Sequence, residues 1–313
     1  MPQVDEPVLD VPRTGGLSGR RLEDRYQVGR RLGHGSAGVV YEAEALPAAT
    51  ADHGKRRVAI KAVCGKQAGD LDAIARFTHE AYLSSKLRHP NLVRVLDFGW
   101  ISPDRPYYAM ERLEGATLDR VLDQAHTLSP ITVVRLVEDA GKALSILHKN
   151  GIVHRDVKPS NIFVAVGHGR RRPRARLLDL GVAGVFDARK AKKLGTVNVG
   201  ARGSYGTPAY IAPEQVLGLP TDERADVYGL ACVTYRMLTG FEPFRYETVE
   251  ETVEAHLFAQ AHPATAINPT LPPMVDVVLS RAMTKERGQR TPTVARFVAE
   301  LRKALAPRKP VSK

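Results

Sequence analysis

The sequence predicts an α+β fold in two lobes, a small β-rich lobe first and a larger helical lobe after it. Three observations carry this expectation. Short apolar runs with a period of two crowd the first third of the chain, and longer runs with a 3.6-residue period fill the rest. The two kinds do not alternate as repeated βαβ units would. The 313 residues suffice for one large domain or two coupled lobes, and 43% hydrophobic with 26% charged residues is ordinary globular usage, which excludes disorder throughout.

Residues 1–24 carry three prolines and a Gly-Gly pair without periodicity and read as a flexible tail. Order begins near Tyr26. Residues 26–32 and 39–45 read as strands joined by a glycine-rich turn, 46–57 as a loop, and Val58, Ile60 and Val63 mark a third strand. A helix is expected over 71–87, with Leu71, Ile74, Phe77, Ala81 and Leu87 apolar, and His89-Pro90-Asn91 breaks it. Strands follow at 92–98 and 106–112. The pattern then turns helical: 130–149, with Val134, Val137, Ala140, Leu144 and Leu147 on one stripe, then 222–239, 246–261, 271–283 and 293–305. The last eight residues, APRKPVSK, form a short basic tail over 306–313.

Cys64 and Cys232 are too few for a disulfide framework or a four-cysteine zinc site. No run of 18 apolar residues suggests a membrane span, and the first thirty residues lack the apolar segment of a secretory signal. A reducing, cytoplasmic setting fits these features. The net charge of +12 raises a nucleic-acid partner, but the basic runs lack interleaved aromatics, which are 6% of the chain, and that partner is disfavoured. Arg170, Arg171, Arg172, Arg174 and Arg176 fall within seven residues, and Lys190, Lys192 and Lys193 within four. Both runs read as loops. Each is either a solvated loop or a docking surface for an acidic protein or nucleic acid, and the arginine run 170–176 is the candidate site for an acidic partner.

Gly33, Gly35 and Gly38 form G-x-G-x-x-G, followed by Val40. Dinucleotide-binding folds share this spacing, but there the glycines lead from a strand into a helix. Here they join two antiparallel strands, where backbone N–H groups can approach phosphate oxygens; a plain hairpin is the alternative. Val58-Ala59-Ile60-Lys61 puts a lysine on a strand, a point charge suited to the α- and β-phosphates of a nucleotide. Glu80, in the first helix, is its candidate partner.

Residues His154-Arg155-Asp156-Val157-Lys158-Pro159-Ser160-Asn161 resemble the catalytic loop of eukaryotic-type, or Hanks-type, serine/threonine protein kinases. The glycine-rich loop, VAIK, Glu80, Asp179-Leu180-Gly181 and Ala212-Pro213-Glu214 stand in that family's order, and the resemblance covers roughly residues 26–305, in the manner of a bacterial member. It implies a bilobal protein kinase fold over 25–305, with an N-lobe of about 25–110 and a C-lobe of about 114–305. It implies ATP with Mg2+, or Mn2+ in its place, and transfer of the γ-phosphoryl group to serine or threonine hydroxyls of proteins. The alternative is an ATP-binding pseudokinase scaffold.

The chemistry also stands on the residues themselves. Phosphoryl transfer needs an aligned hydroxyl and a neutralised triphosphate, with little covalent help. Asp156 can accept the hydroxyl proton and Lys158 can balance charge on the transferring group, while Asn161 and Asp179 offer the hard oxygens that magnesium takes. By resemblance, Lys61 grips the phosphates, Glu80 orients Lys61, and His154 supports the loop. Met110 is the gatekeeper, the backbones of Glu111 and Leu113 meet the adenine edge, and Val40 and Ala59 cover one of its faces.

The resemblance of Lys158 and of the stretch Gly206–Glu214 to serine/threonine kinases favours serine or threonine over tyrosine as acceptor, and implies that Thr207 contacts Asp156 and Lys158. Arg155 implies control by phosphorylation of the activation segment, with Thr196 and Ser204 as acceptors and self-association for trans-autophosphorylation. Glu214 is expected to pair with Arg290, and Asp226 to hold the catalytic-loop backbone. The departures are Leu180 in place of phenylalanine, the lengthened turn Gly167–Arg176, and Glu286-Arg287 where Asp-Pro is common. None removes a catalytic group.

Overall fold

The computed structural model describes residues 16–35, 38–49, 56–63, 69–166, 172–180, 183–185, 187 and 208–306. The chain divides into two compact units, Met1–Ser85 with Arg94–Arg112, and Lys86–Val93 with Leu113–Lys313.

The first unit is built on an antiparallel six-stranded sheet. Its strands are β1 (Arg21–Leu22), β2 (Tyr26–Gly35), β3 (Gly38–Ala45), β4 (Arg56–Ala62), β5 (Val95–Ser102) and β6 (Arg105–Glu111), in the order β1-β2-β3-β4-β6-β5. Alternation along the strands divides the side chains between two faces. Tyr41, Ala43, Ala45, Val58, Ile60, Ala62, Tyr107 and Ala109 join one buried cluster. The opposite face is covered by helix α1 (Leu71–Lys86), whose Phe77 and Ala81 pack with Val63, Val95 and Tyr108. Asp70 caps this helix, its carboxylate accepting the N–H groups of Asp72 and Ala73 at 2.9 and 3.2 Å.

Three expectations for this unit are corrected. Residues 16–24 are not tail: Leu17 is 0% exposed and Leu22 4%, and β1 pairs with β2. The two leucines seal the apolar face of the sheet, but set among glycines and charges they show no period. Within 46–57, Pro47–Ala49 is a 3-10 turn and β4 already starts at Arg56. Leu71, expected on the apolar stripe of α1, is 80% exposed, because the helix turns Ala73 and Phe77 inward instead. Residues 1–15 lie outside the described residues.

In the second unit, strand β7 (Gly115–Thr117) leads into helix α2 (Leu118–Ala125) and helix α3 (Pro130–Lys149). Strands β8 (Ile152–Val153), β9 (Ile162–Ala165), β10 (Arg174–Leu177) and β11 (Gly184–Val185) follow, then helices α4 (Pro213–Val216), α5 (Arg224–Thr239), α6 (Val249–Phe258), α7 (Ala264–Ile267), α8 (Met274–Ala282) and α9 (Val294–Ala304). Helix α5 is buried on every side from Ala225 to Tyr235, as a helix at the centre of an α-helical unit must be. Pro130 sits at the first turn of α3, where its missing N–H has no partner to lose. Thr248 and Glu251 form a capping box on α6.

Here too the structure corrects details. The strand expected from residue 92 begins at Val95. Leu92 instead bridges Leu177 in parallel, and the Val93 N–H donates to the Leu177 carbonyl at 3.0 Å, in the second unit. The buried stripe of α3 runs through Val133, Leu136, Val137, Ala140, Leu144 and Leu147, with Val134 off it by one position. The arginine run is not wholly a loop: Arg174 and Arg176 lie on β10, paired with Ala165 and Phe163 of β9, and the Arg176 guanidinium donates to the Pro90 carbonyl. Helix α2 and the sheet β10-β9-β7 were not expected from the sequence. Arg170, Arg171, Lys190, Lys192 and Lys193 lie outside the described residues.

Candidate active site

Each unit carries one constellation of polar side chains. In the first, antiparallel register aligns Val40 of β3, Lys61 of β4 and Tyr108 of β6 in one row, and Glu42, Ala59 and Met110 in the next. Lys61 therefore faces the same way as Val40, Ala59 and Met110. Its ammonium donates to both oxygens of Glu80, at 2.8 and 3.1 Å. Both residues are buried, so the pair forms where an unpaired charge would be strongly unfavourable.

A second donor, which sequence reasoning missed, joins this arrangement: the Tyr108 hydroxyl donates to Glu80 Oε1 at 2.7 Å. Its one signal in the sequence is the period-two rule, which puts it on the face of Met110. Glu111 is tied to the start of β5, its N–H donating to the Arg94 carbonyl and its carboxylate accepting the Arg94 N–H. The β2–β3 hairpin closes with Gly35 opposite Gly38. Gly38 has φ +139°, and a Cβ there would lie 2.4 Å from the Ala62 carbonyl oxygen, so no other residue fits without shifting β4. A Cβ at Gly33 would meet nothing within 4 Å.

The second constellation lies on the loop between β8 and β9. Asp226, fully buried in the first turn of α5, anchors it. Its Oδ2 accepts the His154 N–H at 2.9 Å and bonds His148 Nε2 at 2.7 Å, and its Oδ1 accepts the Arg155 N–H at 2.9 Å. Burial by itself would raise the Asp226 carboxyl, but the hydrogen bond and charge of His148, with the neighbouring His154, hold it below the usual carboxylate range. These bonds secure Arg155 at φ +68°, a conformation that a residue with a side chain adopts only when its surroundings impose it.

His154 Nδ1 accepts the Asp156 N–H at 3.2 Å, so Nε2 carries the proton and donates to the Leu178 carbonyl at 3.2 Å. The Leu178 N–H in turn donates to the Asn161 carbonyl at 2.8 Å. The loop is thus stitched to the residue before Asp179, which itself has φ +49°. Asp156, Lys158 and Asn161 come together: Lys158 Nζ lies 2.7 Å from Asp156 Oδ2, and the Asn161 amide donates to both Oδ2 and the carbonyl of Asp156 at 2.9 Å. Those two bonds use the N–H2 of Asn161 and leave its amide oxygen as the acceptor end.

Among the described residues, no three His, Cys, Asp or Glu side chains gather into a metal cage. One amide oxygen with one carboxylate suits a magnesium ion that takes its remaining ligands from phosphate and water. Within the first unit, a held ammonium at Lys61 and open space at Gly33 suit phosphate oxygens; within the second, the oxygens of Asn161 and Asp179 are hard donors of the kind a divalent ion takes.

Residues 26–301 match the family model described as protein kinase domain. The chain belongs to that family. Among the relatives of this kinase domain are serine/threonine-protein kinase pkn3 of Myxococcus xanthus, 32% identical over 296 residues, which are 94% of this chain and 52% of that protein. Serine/threonine-protein kinase Pkn1 of Myxococcus xanthus is 34% identical over 281 residues, 90% of this chain and 38% of that protein. Serine/threonine-protein kinase PknD of Mycobacterium tuberculosis is 35% identical over 282 residues, 90% of this chain and 39% of that protein. The chain thus spans about half or less of the length of these curated relatives. The fold, β-rich and then helical, is the one the family implies.

Two further features anchor the kinase domain. Arg290 and Glu214 form a buried bidentate pair at 2.7 and 2.8 Å. The remaining Arg290 donors reach the carbonyls of Thr284, Arg224 and Lys285, and the guanidinium lies 5.0 Å from the Tyr228 ring centroid. Beside them, His256 of α6 is fully buried and bonds the Tyr228 hydroxyl through Nδ1 at 2.9 Å. Lys285 donates to the carbonyls of Ala255 and His256 and lies 3.9 Å from the Phe244 ring centroid.

Burial, joined by the Lys285 charge, pushes the His256 pKa down to about 3. An unfolded histidine, with a pKa of about 6.5, takes a proton that the folded one refuses, so this contribution to stability is complete above that value and is lost as pH falls toward 3. At pH 5 the loss is on the order of 2 kcal/mol. Urea midpoints of wild type and His256→Gln at pH 7.5 and pH 5 should show the smaller acid loss in the variant. Equal losses would refute the assignment.

Among the described residues, no helix is long and apolar enough to cross a membrane. Thr196, Ser204, Thr207 and Gly181 lie outside the described residues. Arg155, the residue expected to read a phosphate, packs its guanidinium on Gly184, where a Cβ would lie 2.1 Å from the guanidinium carbon.

Proposed function

We propose that this chain transfers the γ-phosphoryl group of ATP to serine or threonine hydroxyls of protein substrates. The observation that carries the proposal is the Asp156–Lys158–Asn161 constellation, a carboxylate with a lysine and an amide on one of its oxygens, on a loop fixed by a buried aspartate. Asp156 accepts the proton of the acceptor hydroxyl as that oxygen bonds to the γ-phosphorus and the bond to the β-phosphate oxygen breaks, with ADP leaving. Lys158 balances the charge that spreads over the transferring group. Lys61, held by Glu80, grips the α- and β-phosphates, and the backbone at Gly33, Gly35 and Gly38 lies over them. Val40, Ala59 and Met110 supply apolar contacts to the base, with backbone contacts from Glu111 and Leu113.

Asn161 and Asp179 hold the divalent ion, magnesium or manganese, which neutralises phosphate charge when bound. The catalytic domain in this proposal is residues 25–305, with a cytoplasmic setting. The arginine run 170–176, part strand, is offered to an acidic partner. The test is incubation with labelled ATP, magnesium and peptides carrying serine, threonine or tyrosine as sole acceptor. Transfer to serine or threonine alone is expected; transfer to tyrosine alone, or ATP binding with no transfer, defeats the proposal.

Control by autophosphorylation in trans is part of the same proposal, with Thr196 and Ser204 as acceptors. Arg155 supports it: its guanidinium is half-buried, burial lowers its pKa, and its Nε has no hydrogen-bond partner among the described residues. A phosphate would supply the missing acceptor and repay the desolvation with charge-assisted bonds. Phosphatase-treated protein should start more slowly on a peptide than ATP-preincubated protein, and Thr196→Ala/Ser204→Ala should erase the difference. Equal initial rates with those sites occupied would rule the switch out.

A further inference from the structure

Tyr108 is buried in the row Val40–Lys61–Tyr108, its ring centroid 5.1 Å from that of Phe77 and 5.7 Å from the Lys61 ammonium. Its hydroxyl donates to the same Glu80 oxygen that Lys61 reaches at 2.8 Å. We propose that Tyr108 is a positioning residue for phosphoryl transfer, which orients the Glu80 carboxylate and through it fixes the Lys61 ammonium. This rests on the kinase function proposed above.

The physical argument begins with the ion pair. Removing a carboxylate and an ammonium from water offsets most of their attraction, so a buried pair holds its geometry only when further hydrogen bonds are made. Lys61 bonds both oxygens of Glu80, at 2.8 and 3.1 Å. A short bond from the Tyr108 phenol to Oε1 adds a restraint from a second element. O–H donors to a carboxylate are among the stronger hydrogen bonds of proteins, and the ring that presents this one is itself fixed against Phe77.

The three groups also come from three elements, Lys61 from β4, Glu80 from α1 and Tyr108 from β6. The phenol therefore joins the helix to the sheet at the point where the lysine must be held. Without it, the Glu80 carboxylate has one hydrogen bond fewer to fix its orientation, and the ammonium it bonds is less firmly placed for the phosphates.

Tyr108→Phe removes one oxygen and keeps the ring. The expected result is a rise in KM for ATP of about fivefold, the factor that corresponds to ~1 kcal/mol, with KM for the acceptor peptide within about twofold of wild type, since Lys61 serves only the nucleotide. A merely structural loss lowers the folded fraction and hence the apparent kcat, and leaves both KM values where they were. In a Glu80→Gln background the Tyr108→Phe change should add less than about twofold, because the charged acceptor is gone.

Calorimetric binding of Mg-ATP to wild type and Tyr108→Phe gives a second readout that needs no turnover, with the same fivefold weakening expected. Unchanged ATP affinity, or an equal effect with and without Glu80, overturns the role of Tyr108 and leaves the kinase function standing. ATP binding without transfer in the wild type defeats the kinase function, and the binding comparison still decides Tyr108. No ATP binding at all overturns both.

Discussion

Replacing Asp156 by asparagine should lower kcat for phosphoryl transfer by about 10²- to 10⁴-fold, the usual worth of a positioned general base, while the fold is retained. The motivation is geometric. Asp156 Oδ2 is held by Lys158 at 2.7 Å and by the Asn161 amide at 2.9 Å, so this carboxylate is presented in one orientation on a loop that Asp226 fixes from below. Asparagine has nearly the same shape but cannot take the proton, and it leaves Lys158 without its counter-charge. Circular dichroism should be unchanged, and ATP affinity should stay within a few-fold, because in the proposed mechanism Asp156 serves the acceptor and not the nucleotide. Asp179→Ala should also lower turnover sharply, on the proposed mechanism through the metal, so its residual rate should respond to the divalent ion supplied. Wild-type turnover in Asp156→Asn would remove this residue from the mechanism.

Breaking the Glu214–Arg290 pair should destabilise the second unit by about 3–5 kcal/mol, the range for removing one partner of a buried ion pair. Arg290→Ala leaves the Glu214 carboxylate, 5% exposed, without its bidentate partner and strands the carbonyls of Thr284, Arg224 and Lys285. Much of that loss is the isolated charge and not the pair itself, so Glu214→Gln/Arg290→Met should recover part of it. The comparison is the urea midpoint of each variant at constant m-value. A midpoint for Arg290→Ala close to wild type would mean that water reaches Glu214 and that the pair is not a clamp.

Much of the site was legible because the chemistry uses residues that are close in sequence. Asp156, Lys158 and Asn161 lie within one short loop, which the resemblance of residues 154–161 to the kinase catalytic loop singled out, and the structure joins all three by direct contacts. Lys61 and Glu80 were paired across nineteen residues from the strand and helix patterns on either side of residues 64–68. Periodicity also found most long elements: α3 runs Pro130–Lys149, and α5, α6, α8 and α9 fall inside their expected spans.

Where the sequence reading failed, the stabilising contact was tertiary. Leu17 and Leu22 stand among glycines and charges, and only the sheet they cover explains their burial. Leu92 and Val93 look like the start of a strand, yet Leu92 forms an isolated bridge with Leu177 and the Val93 N–H donates to the Leu177 carbonyl, far along the chain. Arg176 reads as one more charge in a loop, but β9 supplies the pairing that makes it strand.

From the sequence alone came the resemblance to the family, through motifs that stand in its order, and the residue types that phosphoryl transfer needs, because motifs are local in the chain and few side chains can perform this chemistry. The tertiary structure alone decided how these groups are held. His148 bonds the same Asp226 oxygen that accepts the His154 N–H, and Tyr108 comes from a third element to bind Glu80. No periodicity encodes such contacts, since a buried polar group takes whichever donor the packing brings within reach, and that depends on how strands and helices from distant parts of the chain are stacked.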